Sequence, residues 1–282
     1  MTCLLSENFY NLRQFPNHTL STKEGGSTPT PANGQSGYEV HRVANARRHS
    51  RDYYTPTAAN SNADLDVTCD RVRAADMLVL DRNSNLAGET VRLWASSESD
   101  FGTYEEFTFT VPSKTYTGNY ASDGHPVRTD EGAIIYRFAQ TSAKYWRCRV
   151  DAMGANERPR VGGLWLGKSW QPQITRMPWD DEPKWLDQPS ARNGSPTGYL
   201  QTGRQNQVQL MLRDETEWAT AKWVIHSLFW QGHTMWYTSE LGHAERSWLA
   251  YAPSGSYAAP QAAGRRGRDL ALAMVEYQQV LL

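Results

Sequence analysis

Two segments of the chain carry the apolar and polar pattern of paired β-strands. In the first, residues 76–94, Met77–Leu80 is a continuous apolar run typical of a strand buried on both faces. A polar turn rich in Asp, Asn and Ser leads from it into an alternating strand at Thr90–Trp94. In the second, residues 145–170, apolar residues alternate with arginines before a turn and another strand. Two such hairpins predict a β-sandwich.

Further strand patterns between the two hairpins support the same architecture. Phe101–Val111 alternates strongly, Ala133–Ala139 is a second apolar strand, and Leu65–Cys69 predicts an outer strand. Asp64–Trp170 as a whole is predicted to contain six to eight strands joined by turn-rich loops, which is typical of a sandwich or jelly roll.

The pattern changes after residue 170. Five prolines follow within 25 residues (Pro172, Pro178, Pro183, Pro189 and Pro196), and proline removes backbone donors, which favours an extended connector. Gln207–Arg213 predicts a strand, and Asp214–Trp230 predicts an amphipathic helix with an acidic first turn. Its apolar stripe consists of Trp218, Ala221, Ile225, Leu228 and Phe229.

The predicted fold class is therefore mainly β, with a jelly-roll or β-sandwich domain followed by a smaller α+β domain with one amphipathic helix. In the N-terminal arm, Phe9, Tyr10, Leu12 and Phe15 either lie on the domain's own surface or dock on a neighbour. The predicted parts are an N-terminal arm and Gly/Pro/Ser-rich linker (1–37), the sandwich (38–170), the Pro-rich connector (171–199) and the α+β domain (200–282).

Composition narrows the classes of function. The 282 residues carry a net charge of −1, so no overall field attracts nucleic acid or anionic lipid. Three widely spaced cysteines predict a reduced compartment without a disulfide framework. We expect no secretory signal and no membrane span. The 11 tryptophans and 14 tyrosines are residues that favour strands and binding surfaces.

One motif matches a nucleotide-binding pattern without its physical context. Residues 162–169 satisfy G-x-x-x-x-G-K-S, the phosphate loop of nucleotide hydrolases. Within it, Leu164, Trp165 and Leu166 alternate like a strand, and Pro172 discourages the helix that should follow. The sequence therefore predicts a strand at this motif and no nucleotide cofactor.

No catalytic or metal-binding arrangement stands out elsewhere, so we expect no enzyme, no cofactor and no metal. Asp64, Asp66 and Asp70 are near enough in sequence to bind a hard cation, with surface solvation as the favoured alternative. Glu105 and Glu106 are adjacent on a predicted strand and point to opposite faces, which is unsuitable for a glycosidase acid pair.

Aromatic residues supply the candidate contact sites. Trp165, Trp170, Trp179 and Trp185 are candidates for interfaces between copies, and covering the sandwich within one subunit is the alternative. Tyr116, Tyr120 and His125 lie in a long polar loop and are candidates for stacking on a sugar.

Three blocks of sequence resemble tail and baseplate structural proteins of tailed bacteriophages, in particular distal-tail-like proteins with a galactose-binding-like jelly roll. The blocks are LVLDRNSNLAGETVRLWASS, YWRCRVDAMGANERPRVGGLWLGKSW and QNQVQLMLRDETEWATAKWVIHSLFWQGHTMWYTSEL. The likeness lies in the strand–turn–strand pattern and the placement of aromatic residues. In the common distal tail protein the ring-forming domain precedes the sandwich, whereas in this chain the sandwich comes first.

This resemblance implies a structural protein of the virion tail, assembled in the host bacterial cytoplasm into a homo-oligomeric ring with other phage tail proteins. It also favours contact with a host glycan, without assigning sugar-binding residues. The expected function is assembly of a tail tip or baseplate. A carbohydrate-binding module that contacts host-surface glycans is the alternative.

Overall fold

The computed structural model divides the chain into two compact units, and each is described by itself. The sandwich unit comprises Leu5–Ser169 with Leu241–Ser247, and the second unit comprises Met1–Leu4, Trp170–Glu240 and Trp248–Leu282. The described residues are 3–5, 7–23, 42–43, 53–81, 85–113, 126–128, 132–154, 156–172, 174–176, 182–187, 199–212, 215–225, 233–238, 247–251, 261–263 and 267–276.

The described strands and the helix follow one another along the chain. In order, they are β1 (Cys3–Leu5), β2 (Thr19–Lys23), β3 (Ala63–Asp81), β4 (Thr90–Ser96), β5 (Glu105–Thr110), β6 (Val127–Arg128), β7 (Ile134–Val150), β8 (Gly163–Gly167), β9 (Ser169–Trp170), β10 (Ile174–Arg176), β11 (Glu182–Asp187), β12 (Tyr199–Leu212), α1 (Glu215–Ile225), β13 (Met235–Thr238), β14 (Trp248–Tyr251), β15 (Gln261–Ala263) and β16 (Gly267–Glu276).

Two long antiparallel strands, β3 and β7, form the centre of the sandwich. Ala63–Thr68 pairs with Tyr145–Val150, and Met77–Leu80 pairs with Ile134–Arg137. The register shifts between these two stretches, as at a β-bulge, and bulges bend a ribbon. One half is flanked by β2 and by β4–β5, and the other half by β8 and β6. The bent ribbon thereby contributes strands to two layers.

The core of the sandwich lies between these layers. The rings of Phe109 on β5 and Tyr136 on β7 stack with centroids 4.4 Å apart, which joins one layer to the other. Trp146 is completely buried, and its ring lies 6.1 Å from that of Phe9. Because large aromatic rings bury much apolar area, they account for much of the stabilisation of this core.

The structure corrects four expectations about the sandwich. The two predicted hairpins do not form: among the described strands, β3 pairs with β2, β7 and β8 but not with β4, and β7 pairs with β3, β4 and β6 but not with β8. Residues 65–69 do not form an outer strand, because β3 is paired with β2 on one side and with β7 on the other. The segments around 133–139 and 145–150, predicted as separate strands, are one continuous strand. Phe9 and Tyr10 belong to the core instead of a surface arm, and the Tyr10 hydroxyl donates to the Leu65 carbonyl at 2.7 Å.

The second unit contains an antiparallel sheet and the helix α1. The sheet order is β10-β12-β16-β14-β13-β1-β9, with β11 paired to β12 and β15 to β16. Strands β10 and β11 lie within the predicted connector at 171–199, so the expectation of an unpaired extended segment is wrong for them. Prolines are tolerated there because β11 pairs on one side, with β12.

Helix α1 confirms the predicted amphipathic element. Trp218, Ala221 and Val224 are buried at helical spacing, and Glu215 and Glu217 occupy the first turn. The side chain of Ile225 and the residues Leu228 and Phe229 lie outside what the structure describes. The predicted fold class, mainly β with a sandwich followed by a smaller α+β unit, is confirmed. Within the described ranges, no helix is long and apolar enough to span a bilayer.

Candidate functional site

The outer face of the sandwich, opposite the core, carries ordered rows of polar and aromatic side chains. Side chains alternate between the two faces of a strand, so cross-strand partners on the same face form rows across the sheet. One row runs through Ser21, Asp66, Arg147, Trp94 and Glu106 on β2, β3, β7, β4 and β5. The neighbouring rows run through Asp64, Arg149 and Arg92, and through Thr68, Tyr145 and Ser96.

Two bidentate ion pairs hold the centre of this face. Arg147 donates through Nε and Nη2 to the two carboxylate oxygens of Asp66, both at 2.6 Å. Arg149 donates in the same way to Asp64, also at 2.6 Å. Arg147 is 3% exposed and Asp66 is 6% exposed, so the first pair is shielded from water. The fork geometry fixes both guanidinium planes over the sheet.

Burial changes the protonation energetics of the Asp66–Arg147 pair. Burial raises the pKa of the Asp66 carboxyl above its ordinary value, and the hydrogen bonds from Arg147 act against that rise. The Arg149 guanidinium has its pKa raised, chiefly by its hydrogen bonds to Asp64. The charge on Asp66 therefore depends on the presence of Arg147.

The β4–β5 loop, residues 97–104, covers part of this face. The Ser96 hydroxyl donates to the Thr103 carbonyl at 2.6 Å, and the Thr103 amide donates to Glu98 Oε2 at 3.0 Å. Phe101, at the tip, has a φ of +57°, a left-handed conformation that is strained for an aromatic residue. Its ring is held 4.3 Å from the Arg147 guanidinium carbon. Such strain persists where surrounding contacts impose it, often at binding sites.

Between this loop and strands β2, β3 and β7 lies an open pocket of about 410 Å³. Its aromatic walls are Phe101 and Tyr145, and the Asp66–Arg147 pair forms part of its lining. Hydroxyl and carboxylate groups complete the wall at Ser21, Thr68, Ser99 and Asp100. The volume falls in the range of small-ligand sites, in which apolar surface is combined with a few fixed polar groups.

The arrangement is suited to binding rather than to proton transfer. Asp66 and Asp64 are each committed to an arginine, so neither is poised to exchange protons with a substrate. Asp70 bonds to Arg73 and to His18, away from the other two carboxylates. In the part of the chain that the structure describes, no group of three metal-ligating side chains comes together. Surface solvation, the favoured interpretation of these three residues, is therefore wrong for Asp64 and Asp66, which are buried, and all three carboxylates bind guanidinium groups instead of a cation.

The predicted contact residues have different outcomes. Trp165 on β8 is 3% exposed and Trp170 on β9 is 7% exposed, so both side chains are already covered within the chain. Trp185 is on β11 opposite Gln201, and its side chain is not described; Trp179 lies outside the described residues. Tyr116, Tyr120 and His125 also lie outside the described residues, so the glycan role assigned to them stays a prediction.

The phosphate-loop motif forms a strand, as its alternation predicts. Gly163–Gly167 is β8 and pairs with Met77–Asp81 of β3. The Ser169 amide donates to Asp76 Oδ1 at 2.7 Å, so a carboxylate occupies the place next to this serine.

Of the residues that build the pocket, Asp66 alone was singled out from the sequence, and only as a possible cation ligand. Their alternation was visible, because Asp64 and Asp66 alternate with Leu65 and Val67 in one segment, and arginines alternate with Trp146 in another. The sequence did not reveal that these two segments pair, because Asp66 and Arg147 are 81 positions apart. The position of the β4–β5 loop above these strands could not be predicted from the sequence either.

Comparison with known proteins gives weak structural likenesses. Neither a family model nor a curated protein matches the chain. The CBM32-1 and CBM32-2 domains of Clostridium perfringens ZmpB, solved with GalNAc, are 16% identical over 52% of this chain and 32% of that one, with a TM-score of 0.37. A Ruminococcus gnavus GH29 fucosidase in complex with fucose is 10% identical over 60% and 28%, with a TM-score of 0.41.

A third similar structure is a single module. Chitosan-binding module 1 from a Paenibacillus chitosanase/glucanase is 14% identical over 56% of this chain and 96% of that one, with a TM-score of 0.37. This chain thus spans about a third of the length of the first two structures. At these identities and TM-scores the likenesses assign neither a ligand nor an activity to this chain.

Proposed function

We propose that the sandwich unit is a non-catalytic carbohydrate-binding module whose ligand lies in the pocket beneath the β4–β5 loop. The main support for this proposal is the composition of the pocket. Two aromatic walls, Phe101 and Tyr145, occur in one open pocket together with hydroxyl, carboxylate and guanidinium groups. A sugar ring presents apolar C–H faces and a rim of hydroxyls that both donate and accept. The pocket offers a partner for each of these surfaces.

The charges of the pocket narrow the class of sugar. Asp66 and Arg147 neutralise each other through two short hydrogen bonds. Asp100 adds a carboxylate, and within the described residues no cation forms an ion pair with it. An acidic sugar would therefore meet a like charge, whereas a neutral or amino sugar would not. We infer that neutral or amino sugars are preferred over uronic acids.

Isothermal titration calorimetry with the full chain tests this proposal. The probes are GalNAc, fucose, chitosan oligomers and glucuronic acid, the last as the acidic control. We expect at least one neutral or amino sugar to bind, and Tyr145→Ala to weaken it about tenfold by removing an aromatic wall. The matched control is Leu12→Ala, an exposed apolar residue that does not line the pocket. If a bacterial glycan array and these probes all show no binding, the module does not recognise carbohydrate.

A second proposal concerns the whole chain: a structural protein of a phage tail tip, assembled in the bacterial cytoplasm as a ring. Its support is the resemblance of the three sequence blocks to tail proteins. Strands of the first block pair with strands of the second, β3 with β8 and β4 with β7.

Multi-angle light scattering tests this second proposal and should give a molar mass that is a multiple of one chain. A monomer at all concentrations, absent from purified particles, would contradict it. The two proposals are compatible if the ring presents the module to host glycans.

A further inference from the structure

We propose that the binding site extends from the pocket onto Tyr104, so that the ligand is an oligosaccharide of two or more units and not a single sugar. This inference rests on the proposed carbohydrate function and deepens it by assigning a second subsite. It is carried by the exposed, rigidly supported ring of Tyr104 and by its continuity with the pocket wall.

Tyr104 on this face is unusual because its ring is both exposed to solvent and stacked on another ring. It is 42% exposed, and among the described residues only three other large apolar side chains are comparably exposed: Leu12, Val72 and Trp223. Unlike an isolated surface tyrosine, it stacks on Trp94, with ring centroids 4.3 Å apart and an angle of 22° between the planes. The result is a flat aromatic surface that is open to solvent on the outer face.

The support under Tyr104 is fixed by several contacts. The Trp94 indole N–H donates to Glu106 Oε2 at 2.9 Å. The Arg149 guanidinium carbon lies 4.3 Å from the centre of the Trp94 ring, and Arg149 is itself held by Asp64. Because these contacts within the chain fix the Trp94 ring, little conformational entropy would be lost when a sugar stacks on the platform. This preorganisation distinguishes the platform from an ordinary exposed tyrosine.

The platform is continuous with the pocket. Phe101, which forms one pocket wall, has its ring centroid 6.1 Å from that of Trp94. Arg147, which also lines the pocket, is the cross-strand partner of Trp94 on the adjacent strand. Since Tyr104 stacks on Trp94 with ring centroids 4.3 Å apart, the Trp94 ring alone separates Tyr104 from the Phe101 wall of the pocket. A chain of linked sugars leaving the pocket in this direction would meet the Tyr104 ring.

Calorimetry with a length series of the best-binding sugar tests the second subsite. The probes are the monosaccharide, the disaccharide and the trisaccharide, titrated into wild type, Tyr104→Ala and the control Leu12→Ala. We expect wild type and the control to bind the longer ligands about three- to tenfold more tightly than the monosaccharide. Tyr104→Ala should lose this gain and bind the monosaccharide with unchanged affinity, because the pocket is left intact.

The outcomes separate this inference from the function on which it rests. If wild type binds the monosaccharide without any gain from added units, or if Tyr104→Ala keeps the gain, the second subsite is wrong and the pocket proposal stands. If wild type binds no member of the series and no other glycan, both proposals fail. If Tyr104 instead binds a protein partner, the affinity will not increase from monosaccharide to trisaccharide, and this result also overturns the inference. Unchanged thermal unfolding of Tyr104→Ala confirms that the exposed substitution leaves the fold intact.

Discussion

The inner and outer faces of the β3–β7 ribbon share the same strands but have opposite chemistry. On the inner face, Leu65 and Val67 lie across from Cys148 and Trp146, and all four are buried in the core. On the outer face, Asp64 and Asp66 lie across from Arg149 and Arg147. The inner face excludes water by apolar packing, whereas on the outer face only the centre is shielded, where the Asp66–Arg147 pair is buried.

This difference indicates which residues stabilise the fold and which shape the candidate site. Burial of apolar side chains contributes directly to stability. A buried ion pair contributes little net stability, because desolvation of the charges offsets their attraction. The outer pairs are therefore better explained by a need to fix polar groups in position than by a need for stability. The following substitutions test that division.

The largest expected effect is that of Trp146→Ala on the inner face. Trp146 is completely buried and packs in the core, so its removal should lower the free energy of unfolding by about 3–5 kcal/mol. Its sequence neighbour Tyr145, half-buried on the outer face, is the control, and Tyr145→Ala should cost about 1 kcal/mol. Urea denaturation measures both values. Similar losses for the two variants would show that the outer face is as important to stability as the core.

Removal of one member of the outer ion pair should cost nearly as much. Arg147→Ala leaves Asp66 buried without its partner, and breaking such a pair typically costs about 3–5 kcal/mol. The double variant Asp66→Val with Arg147→Val should recover much of this loss, because no charge is then left buried. Arg92→Ala, which removes a half-exposed arginine, should cost under about 1 kcal/mol. A double variant no more stable than Arg147→Ala would contradict this account.

The Arg147→Ala variant should also depend on pH in a defined direction. Burial raises the pKa of Asp66 in the folded state, so folding takes up a proton between the ordinary and the raised pKa. The contribution of Asp66 to the free energy of unfolding is therefore largest at low pH, where its carboxyl is protonated, and it falls as the pH rises. Without Arg147 the pKa should rise further, so the deficit relative to wild type should grow from pH 4 to pH 7. Urea denaturation at both values measures this, and a deficit independent of pH would mean that Asp66 is not the cause.

A smaller effect is expected at a glycine of the phosphate-loop motif. A Cβ at Gly167 would overlap the backbone carbonyl of Glu7, a contact that no side-chain movement can relieve. Gly167→Ala should therefore cost about 1–3 kcal/mol. Gly154→Ala is the control, because a Cβ there meets nothing within 4 Å. Thermal unfolding compares the two, and a stable Gly167→Ala would show that close packing is not why glycine is present.

The smallest effect concerns the core thiols. Burial raises the pKa of Cys69 from 9.0 to about 12, and it raises that of Cys148 as well. In a Cys3→Ser background, thiol reagents at pH 8 should label neither residue until urea unfolds the chain. Since the unfolded thiols ionise near pH 9 and the folded ones do not, stability should fall as pH rises through that window, and less so in Cys69→Ala. Rapid labelling of the native protein would place these thiols outside the core.

Much of the architecture was predictable because it depends on local patterns. The alternation at Thr90–Trp94 and the apolar run at Met77–Leu80 were enough to predict their strands, and both are observed. The acidic first turn and apolar stripe predicted helix α1. Predictions failed where a segment's role depended on distant partners, as for Phe9 in the core and for β11 in the predicted connector.

The candidate site was less predictable than the fold, for a related physical reason. A carboxylate at position 66 has the same local pattern whether it is solvated, binds a cation or pairs with an arginine. Pairing with Arg147, 81 positions away, decides among these, and it follows from the register of β3 against β7. The strained turn that brings Phe101 over this pair is likewise a consequence of loop contacts, not of its own preference.

The sequence by itself determined the sandwich class, the amphipathic helix and the strand character of residues 163–167, because side-chain periodicity along one element is a local property. Only the tertiary structure decided which strands are neighbours, that the carboxylates of β3 bind arginines of β7, and that two aromatic residues and this pair enclose a pocket. Cross-strand contacts join residues far apart in the chain, and their geometry is fixed only when the bulged ribbon folds and the layers pack.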